Sequence, residues 1–261
     1  MIRHIPRYAA ALIAIACLSQ TADAQADEIQ VYDGGLAPRG TVILTVHNNV
    51  TPRGIKTPSF VGGVTPDGSL NGVPEWALGV TDWFEAGLYL PPYTHDKKLG
   101  FGMDGAKLRL LFAVPHADDR TFVYGTNFEF SLNARRWDSH RVTSEMRGIV
   151  GWHVSPALDV ILNPIFDTAY DGFKNIEFVP AARMAYNAGT RWSVALESYS
   201  TFGTIRSFLP TSEQSHQLFG VIDHTTTRGY EIELGAGVGL TNASDKLTLK
   251  LIVSKDLTSR K

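Results

Sequence analysis

The chain has 261 residues, a formal charge of −2, 44% hydrophobic residues and 24 glycines. That length and composition exclude global disorder and suffice for one sizeable core or one medium barrel. The near-neutral balance, with no basic run interleaved with aromatics, argues against nucleic acid as a partner.

The N-terminal stretch "MIRHIPRYAAALIAIACLSQTADAQADE" reads as an export signal. Arg3 and Arg7 make a positive start, "AAALIAIACL" a short apolar run, and Ala22-Asp23-Ala24 and Ala24-Gln25-Ala26 each fit an A-x-A cleavage site. A signal over residues 1–24 is expected, cleaved after Ala24 or Ala26. The only cysteine, Cys17, lies inside it; an acylated Cys17 is disfavoured because the preceding "AIA" is a poor match. The apolar run is shorter than the roughly 20 residues of a membrane helix, and no later segment approaches that length. Any membrane crossing therefore falls to strands. Residues 25–40, with "DEIQVYDGGLAPRG", form a leader: a short strand, a plug or a periplasmic coil.

From residue 41 onward, alternation replaces helical periodicity. Six segments predict strands in the first half, at 41–49, 75–81, 83–91, 107–115, 121–133 and 142–154. Six more follow at 159–169, 176–187, 191–202, 215–225, 230–241 and 245–257, with a tail at 258–261. Connections after the first, third and ninth segments are long and polar or rich in Gly and Pro. Those after the second, fourth, sixth, eighth and tenth are short turns such as Asp82, "SPAL" and "TTRG". Loop length sorted by parity is the pattern of an outer-membrane barrel, long loops outside and tight turns in the periplasm. An all-β, twelve-stranded antiparallel transmembrane barrel over residues 41–257 is the expected fold.

"FVYGTNFEFSLN" makes the face problem explicit. Phe122, Tyr124, Phe128, Phe130 and Leu132 share one parity, and Gly125, Asn127, Glu129, Ser131 and Asn133 the other. A soluble sandwich buries the first set, whereas a membrane barrel turns it to lipid. Trp83, Trp152 and Trp192 at predicted periplasmic strand ends, with Trp76 at an extracellular end, predict interfacial girdles and favour the barrel. The inward set is then Glu85, Glu129, Glu145, Glu177, Glu197, Glu231 and Glu233 against Arg109, Arg147, Arg183 and Lys250. Parity permits Glu129 opposite Glu145 or Arg147, and Arg183 opposite or diagonal to Glu197. The acidic excess predicts a narrow, cation-favouring bore. Pro164 and Pro180, equidistant from "YDGFKN", predict a gap in the seventh and eighth strands' ladder.

Beyond parity, "DEIQVYDGG", "EWALGVTDWFEAGLYLP", "KLRLLFAVPHADDRTFVYGTNFEFS", "HQLFGVIDH" and "GVGLT" with "SDKLTLKLI" resemble a proteobacterial family of outer-membrane β-barrel proteins. Its members are mostly hypothetical proteins, loosely grouped with a phenol-degradation MetA-pathway type. The resemblance runs from about residue 27 to the C-terminus, and implies the barrel and the compartment but no settled activity. One departure is the ending "KDLTSRK", where such barrels usually end in an aromatic.

Enzymatic readings are weaker. "GFGMDG" fits G-x-G-x-x-G, but a strand follows it where a dinucleotide site needs a helix. His153 and Ser155, with Asn163 as a third group, have the residue types of an outer-membrane lipid hydrolase. Yet they fall at the periplasmic end of their strand and share the inward parity of Glu145 and Arg147. The eight histidines are scattered, so neither metal nor cofactor is expected. The reading is an outer-membrane barrel, a narrow small-solute channel or a structural protein, with lipid, the barrel assembly machinery and a small polar or aromatic solute as partners. Its rivals are that hydrolase and a soluble periplasmic sandwich or lipocalin-like binder.

Overall fold

The alternation becomes a single closed sheet. The computed structural model describes residues 28–258, so the predicted signal and residues 259–261 lie outside the described part. Twelve antiparallel strands form a barrel. The first six are β1 (Val42–Arg53), β2 (Leu70–Thr81), β3 (Phe84–Tyr89), β4 (Gly105–Ala113), β5 (Phe122–Asn133) and β6 (Val142–Ser155). Two interrupted strands follow, β7 (Leu158–Asn163 with Ile165–Thr168) and β8 (Glu177–Phe178 with Ala181–Asn187). The last four are β9 (Trp192–Thr201), β10 (Ser215–Thr225), β11 (Tyr230–Gly239) and β12 (Leu247–Asp256). Neighbours in sequence pair, and β1 pairs with β12 from Ile43 opposite Asp256 to Val50 opposite Leu249, which removes every open edge.

At one end the connections are short, residues 82–83, 156–157, 188–191 and 226–229 among them. The other end carries residues 54–69, 90–104, 134–141, 169–176, 202–214 and 240–246. Two of these long connections fold into hairpins, Tyr93–Asp96 with Gly100–Met103 and Gly203–Thr204 with Ser207–Phe208. "GFGMDG" therefore contributes a paired strand. β2 also begins earlier than its predicted start, because Leu70, Asn71 and Gly72 pair with both β1 and the first hairpin. Gly72 and Pro74 hide that part of the strand from a propensity argument. The loop of residues 54–69 is tied down by carboxylates: Asp67 accepts from the Gly54 N–H at 3.0 Å and Asp96 from the Thr65 N–H at 2.6 Å. The Gly54 N–H, with Lys97 beside it, outweighs desolvation and holds the Asp67 carboxyl below its usual range.

The two faces are inverted relative to a soluble protein. On β5, Phe122, Tyr124, Phe130 and Leu132 are exposed, while Val123, Asn127, Glu129 and Asn133 are buried. Arg147, Glu197 and Lys250 are at most 2% exposed, and their outward neighbours Met146, Leu196 and Leu249 are at least 41% exposed. An apolar exterior around a charged interior suits lipid, not water. Trp83, Trp152 and Trp192 sit on the outer surface at or near the short-turn end, with Trp83 stacked on Phe112, Trp152 against Phe122 and Trp192 against His224. Trp76 corrects the girdle expectation. With β2 starting at Leu70, it is a mid-strand residue on the outer face, opposite Leu44 and Leu88. Towards the long-loop end, Phe166 and Phe178 on β7 and β8 cluster with Phe202 and Phe208 of the β9–β10 connection.

The β7–β8 ladder is broken where the two prolines fall. Pairing runs to Asn163 opposite Ala181, lapses at Pro164 and Pro180, and resumes at Phe166 opposite Phe178. Neither proline has an N–H to give. Their carbonyls still accept, from the Gly148 N–H at 2.8 Å and the Ser200 N–H at 3.1 Å. The Gly-rich inner face of β11 has a packing cause: the Phe219 ring lies over Gly237, where a Cβ would collide with it.

Candidate functional site: the lumen and its plug

The bore is occupied by residues 28–40 of the chain's own leader, which lie across it as a plug. At the short-turn rim, the Gly40 N–H donates to the Gly79 carbonyl at 2.7 Å, and the Gly79 N–H to Thr41 at 3.0 Å. Position 79 must lack a Cβ, which would fall on the Ala37 and Pro38 carbonyls. Further in, the Ala37 N–H donates to Glu85 at 2.5 Å. Asn163 then acts as a strand edge in miniature, its Oδ1 accepting from the Tyr32 N–H at 2.7 Å and its Nδ2 donating to the Tyr32 carbonyl at 2.9 Å. Arg147 donates to the Gln30 carbonyl at 2.8 Å and Lys250 to the Ile29 carbonyl at 3.0 Å. The Tyr32 ring lies beneath the Arg147 guanidinium at 4.4 Å, and its hydroxyl meets Glu28 and Tyr89, each at 2.6 Å.

Apolar packing completes the seat. Ile29 and Val31 are buried against an inner-wall patch that includes Ile161, Ile165, Val179 and Val221. Tyr32 packs with Leu111, Val123 and Ile149 on the other side, where Leu36 joins it. Burying a side chain of this size is worth about 1.5–3 kcal/mol, so these contacts favour docking as strongly as the polar ones do. The sequence reading gave this inner wall no apolar patch.

The predicted inward residues fall into separate networks. Arg109 bridges Glu75, at 2.5 Å, and Glu85, although β4–β5 register sets it opposite Glu129. Glu75 also meets His47 at 3.2 Å. Glu129 stands opposite Glu145, and Arg147 opposite Asn127. Arg147 compensates Glu145 along its own strand at 2.8 Å, while Glu129 accepts from Asn127 at 3.0 Å. Arg183 is directly opposite Glu197 and joins it to Asp223 and, at 3.4 Å, to Glu233. Lys250 closes that network onto Glu197 and Glu233, both at 2.5 Å. Glu231 stands apart, exposed at the short-turn mouth, and Glu177 lies at the far end of β8. Glu75, Asp223, Asp167 and His47 are absent from the predicted set; the parity of β7 and β10 marks Asp167 and Asp223 as inward.

His153, Ser155 and Asn163 do not assemble. His153 Nδ1 lies 2.5 Å from Asp159 Oδ1, the Ser155 hydroxyl caps the Ala157 N–H at 3.3 Å, and Asn163 is committed to Tyr32. The shared inward parity of His153 and Ser155 fails because the register shifts between them. At the same mouth, burial and then the Asp33 carboxylate push the Asp118 carboxyl up.

Above the plug, the lumen opens towards the long loops as a cavity of about 360 Å³. Its wall carries Glu129, Glu145, Asp167 and Glu177 from the strands and Phe60 and Trp137 from the loops.

No protein-family model matches the chain, and no curated protein matches it by sequence. Solved structures do. An outer membrane channel from Pseudomonas putida F1 is similar at 12% identity and a TM-score of 0.60, covering 88% of this chain and 100% of that one. The KdgM porin, solved with disordered oligogalacturonate, is similar at 9% identity and TM-score 0.53 over 82% of this chain and 97% of its own. The NanC porin follows at 7% and 0.52, with the same coverage. At these identities the likeness is one of fold: this chain has the architecture of outer-membrane β-barrels.

Proposed function

We propose that the protein is a narrow small-solute channel of the outer membrane, held shut in this conformation by residues 28–40. The carrying observation is how the plug is held. The wall bonds described for residues 28–37 come from side chains, Glu85, Arg147, Asn163 and Lys250 among them, and not from the barrel's ladder. The segment can therefore leave the bore without opening a strand edge. In this reading the short turns face the periplasm and the long loops the outside, as the positions of the aromatic residues and loop lengths support. Lipid surrounds the apolar belt, and the barrel is inserted by the assembly machinery from the periplasmic side. Similarity to proteins described as channels and porins supports transport, not catalysis. The solute is small and polar or aromatic, the second class resting on resemblance to the phenol-degradation MetA-pathway type.

The inner wall favours cations. Among the described residues, Glu75, Asp167 and Asp223 add to the inward acids and Lys107 to the cations, which supports that preference. Planar-bilayer recording tests the proposal: small, cation-selective currents are expected, rising when the plug is loosened. A plug shown to be displaced, with no current, would make the protein a structural barrel.

A further inference from the structure

Three carboxylates stand side by side on adjacent strands at the floor of the cavity above the plug. Asp167 on β7 is the direct partner of both Glu145 on β6 and Glu177 on β8. Like charges directly opposite across a ladder repel. Glu145 is compensated by Arg147. Oδ2 of Asp167 and Oε2 of Glu177 are shielded from solvent and have no hydrogen-bond partner. An ionised oxygen so placed is costly unless a cation or donor meets it. Among the other charged groups lining the cavity, Glu129, Asp138 and Asp171 add negative charge, and Lys107 lies 3.9 Å from Glu129.

Among the described residues no group of three His, Cys, Asp or Glu side chains is arranged to hold a metal ion. A volume of about 360 Å³ is that of a small-molecule pocket, and Phe60 and Trp137 give it aromatic surface. We propose that this vestibule binds a small organic cation, an ammonium on an apolar or aromatic body, with Asp167 and Glu177 as its counter-ions and Phe60 and Trp137 beside the body. The inference deepens the channel reading by naming the solute class met at its outer mouth, and rests on that reading only for its physiological meaning.

Calorimetry on the folded full-length mature barrel in detergent tests it, with 2-phenylethylamine, 2-phenylethanol and phenylacetate as probes and magnesium as competitor. The amine is expected to bind saturably and at least about tenfold more tightly than the alcohol, with phenylacetate silent, because only the amine answers the unpaired carboxylates. Asp167→Asn and Glu177→Gln should each weaken it by roughly five- to tenfold, and Asp119→Asn, in a short turn at the opposite end, should not. Since Asp167→Asn relieves a like-charge contact, it should raise the unfolding temperature of the free barrel and remove the amine-induced rise seen with the native protein. Equal binding of amine and alcohol, indifference to both substitutions, or displacement of nothing but magnesium would overturn the site. Bilayer recording separates this from the channel proposal: amine binding without conductance leaves the site and removes the channel, and conductance without binding does the reverse.

Discussion

Replacing Asn163 by alanine should release the plug while leaving the barrel closed. The side chain makes two buried hydrogen bonds to Tyr32, at 2.7 and 2.9 Å, and Asn163 itself is fully buried. Each bond is worth about 1 kcal/mol net, and rather more where the abandoned group stays buried, so docking should weaken by about 2–4 kcal/mol. That shifts the docked-to-displaced ratio by about 30- to 1000-fold. Asn163 donates through its side chain inside the lumen, so β7 keeps its own pairing to β8 at Ala181. The reporter is Val31→Cys, at a position 6% exposed, since the one native cysteine, Cys17, lies in the expected signal. Its modification by a small maleimide should accelerate with Asn163→Ala by a comparable factor, while the heat-modifiable gel mobility of the folded barrel persists. An unchanged rate in a folded barrel would refute the claim that this amide holds the plug. Loss of the barrel itself would show that Asn163 belongs to the wall's stability and not to the plug's.

Further outcomes follow from the same geometry. Gly79→Val places a side chain against the Ala37 and Pro38 carbonyls and should also speed labelling at position 31, with barrel stability unchanged in urea titration. Lys250→Met removes one of the two cations on Glu197, which is 1% exposed and keeps Arg183, and should cost about 1.5–3 kcal/mol, read from unfolding midpoints in lipid vesicles. Leu196→Arg, on the outer face at a position 50% exposed, should cost about 2–4 kcal/mol in the same assay and nothing comparable if that face met water.

Strand count, alternation and turn polarity are local properties, and residues 41–257 show them in the sequence alone. The prolines were equally legible, since a missing N–H interrupts any ladder it enters. Other features were hidden by distance. Lys250 is 221 residues from Ile29 and Arg147 is 117 from Gln30, and nothing in "EIQVYDGGLAPRG" announces those partners. Parity marks a residue as inward but does not choose its partner. Arg109 turns from Glu129 to Glu75 and Glu85, and Arg147 takes Glu145 on its own strand. The start of β2 was masked by Gly72 and Pro74, which also displaced Trp76 from the rim. The His153–Ser155 pair misled because alternation was carried across a register shift.

On the proposed reading, a cation-favouring bore is closed by its own N-terminal segment. The most direct test is the reversal potential and conductance of the purified mature barrel in a planar bilayer under a salt gradient, native beside Asn163→Ala. Small cation-selective currents that grow in the variant are expected, with Glu129→Gln reducing the selectivity and outward Phe128→Leu leaving it unchanged. Anion selectivity, or a silent Asn163→Ala barrel whose position 31 labels freely, would contradict it.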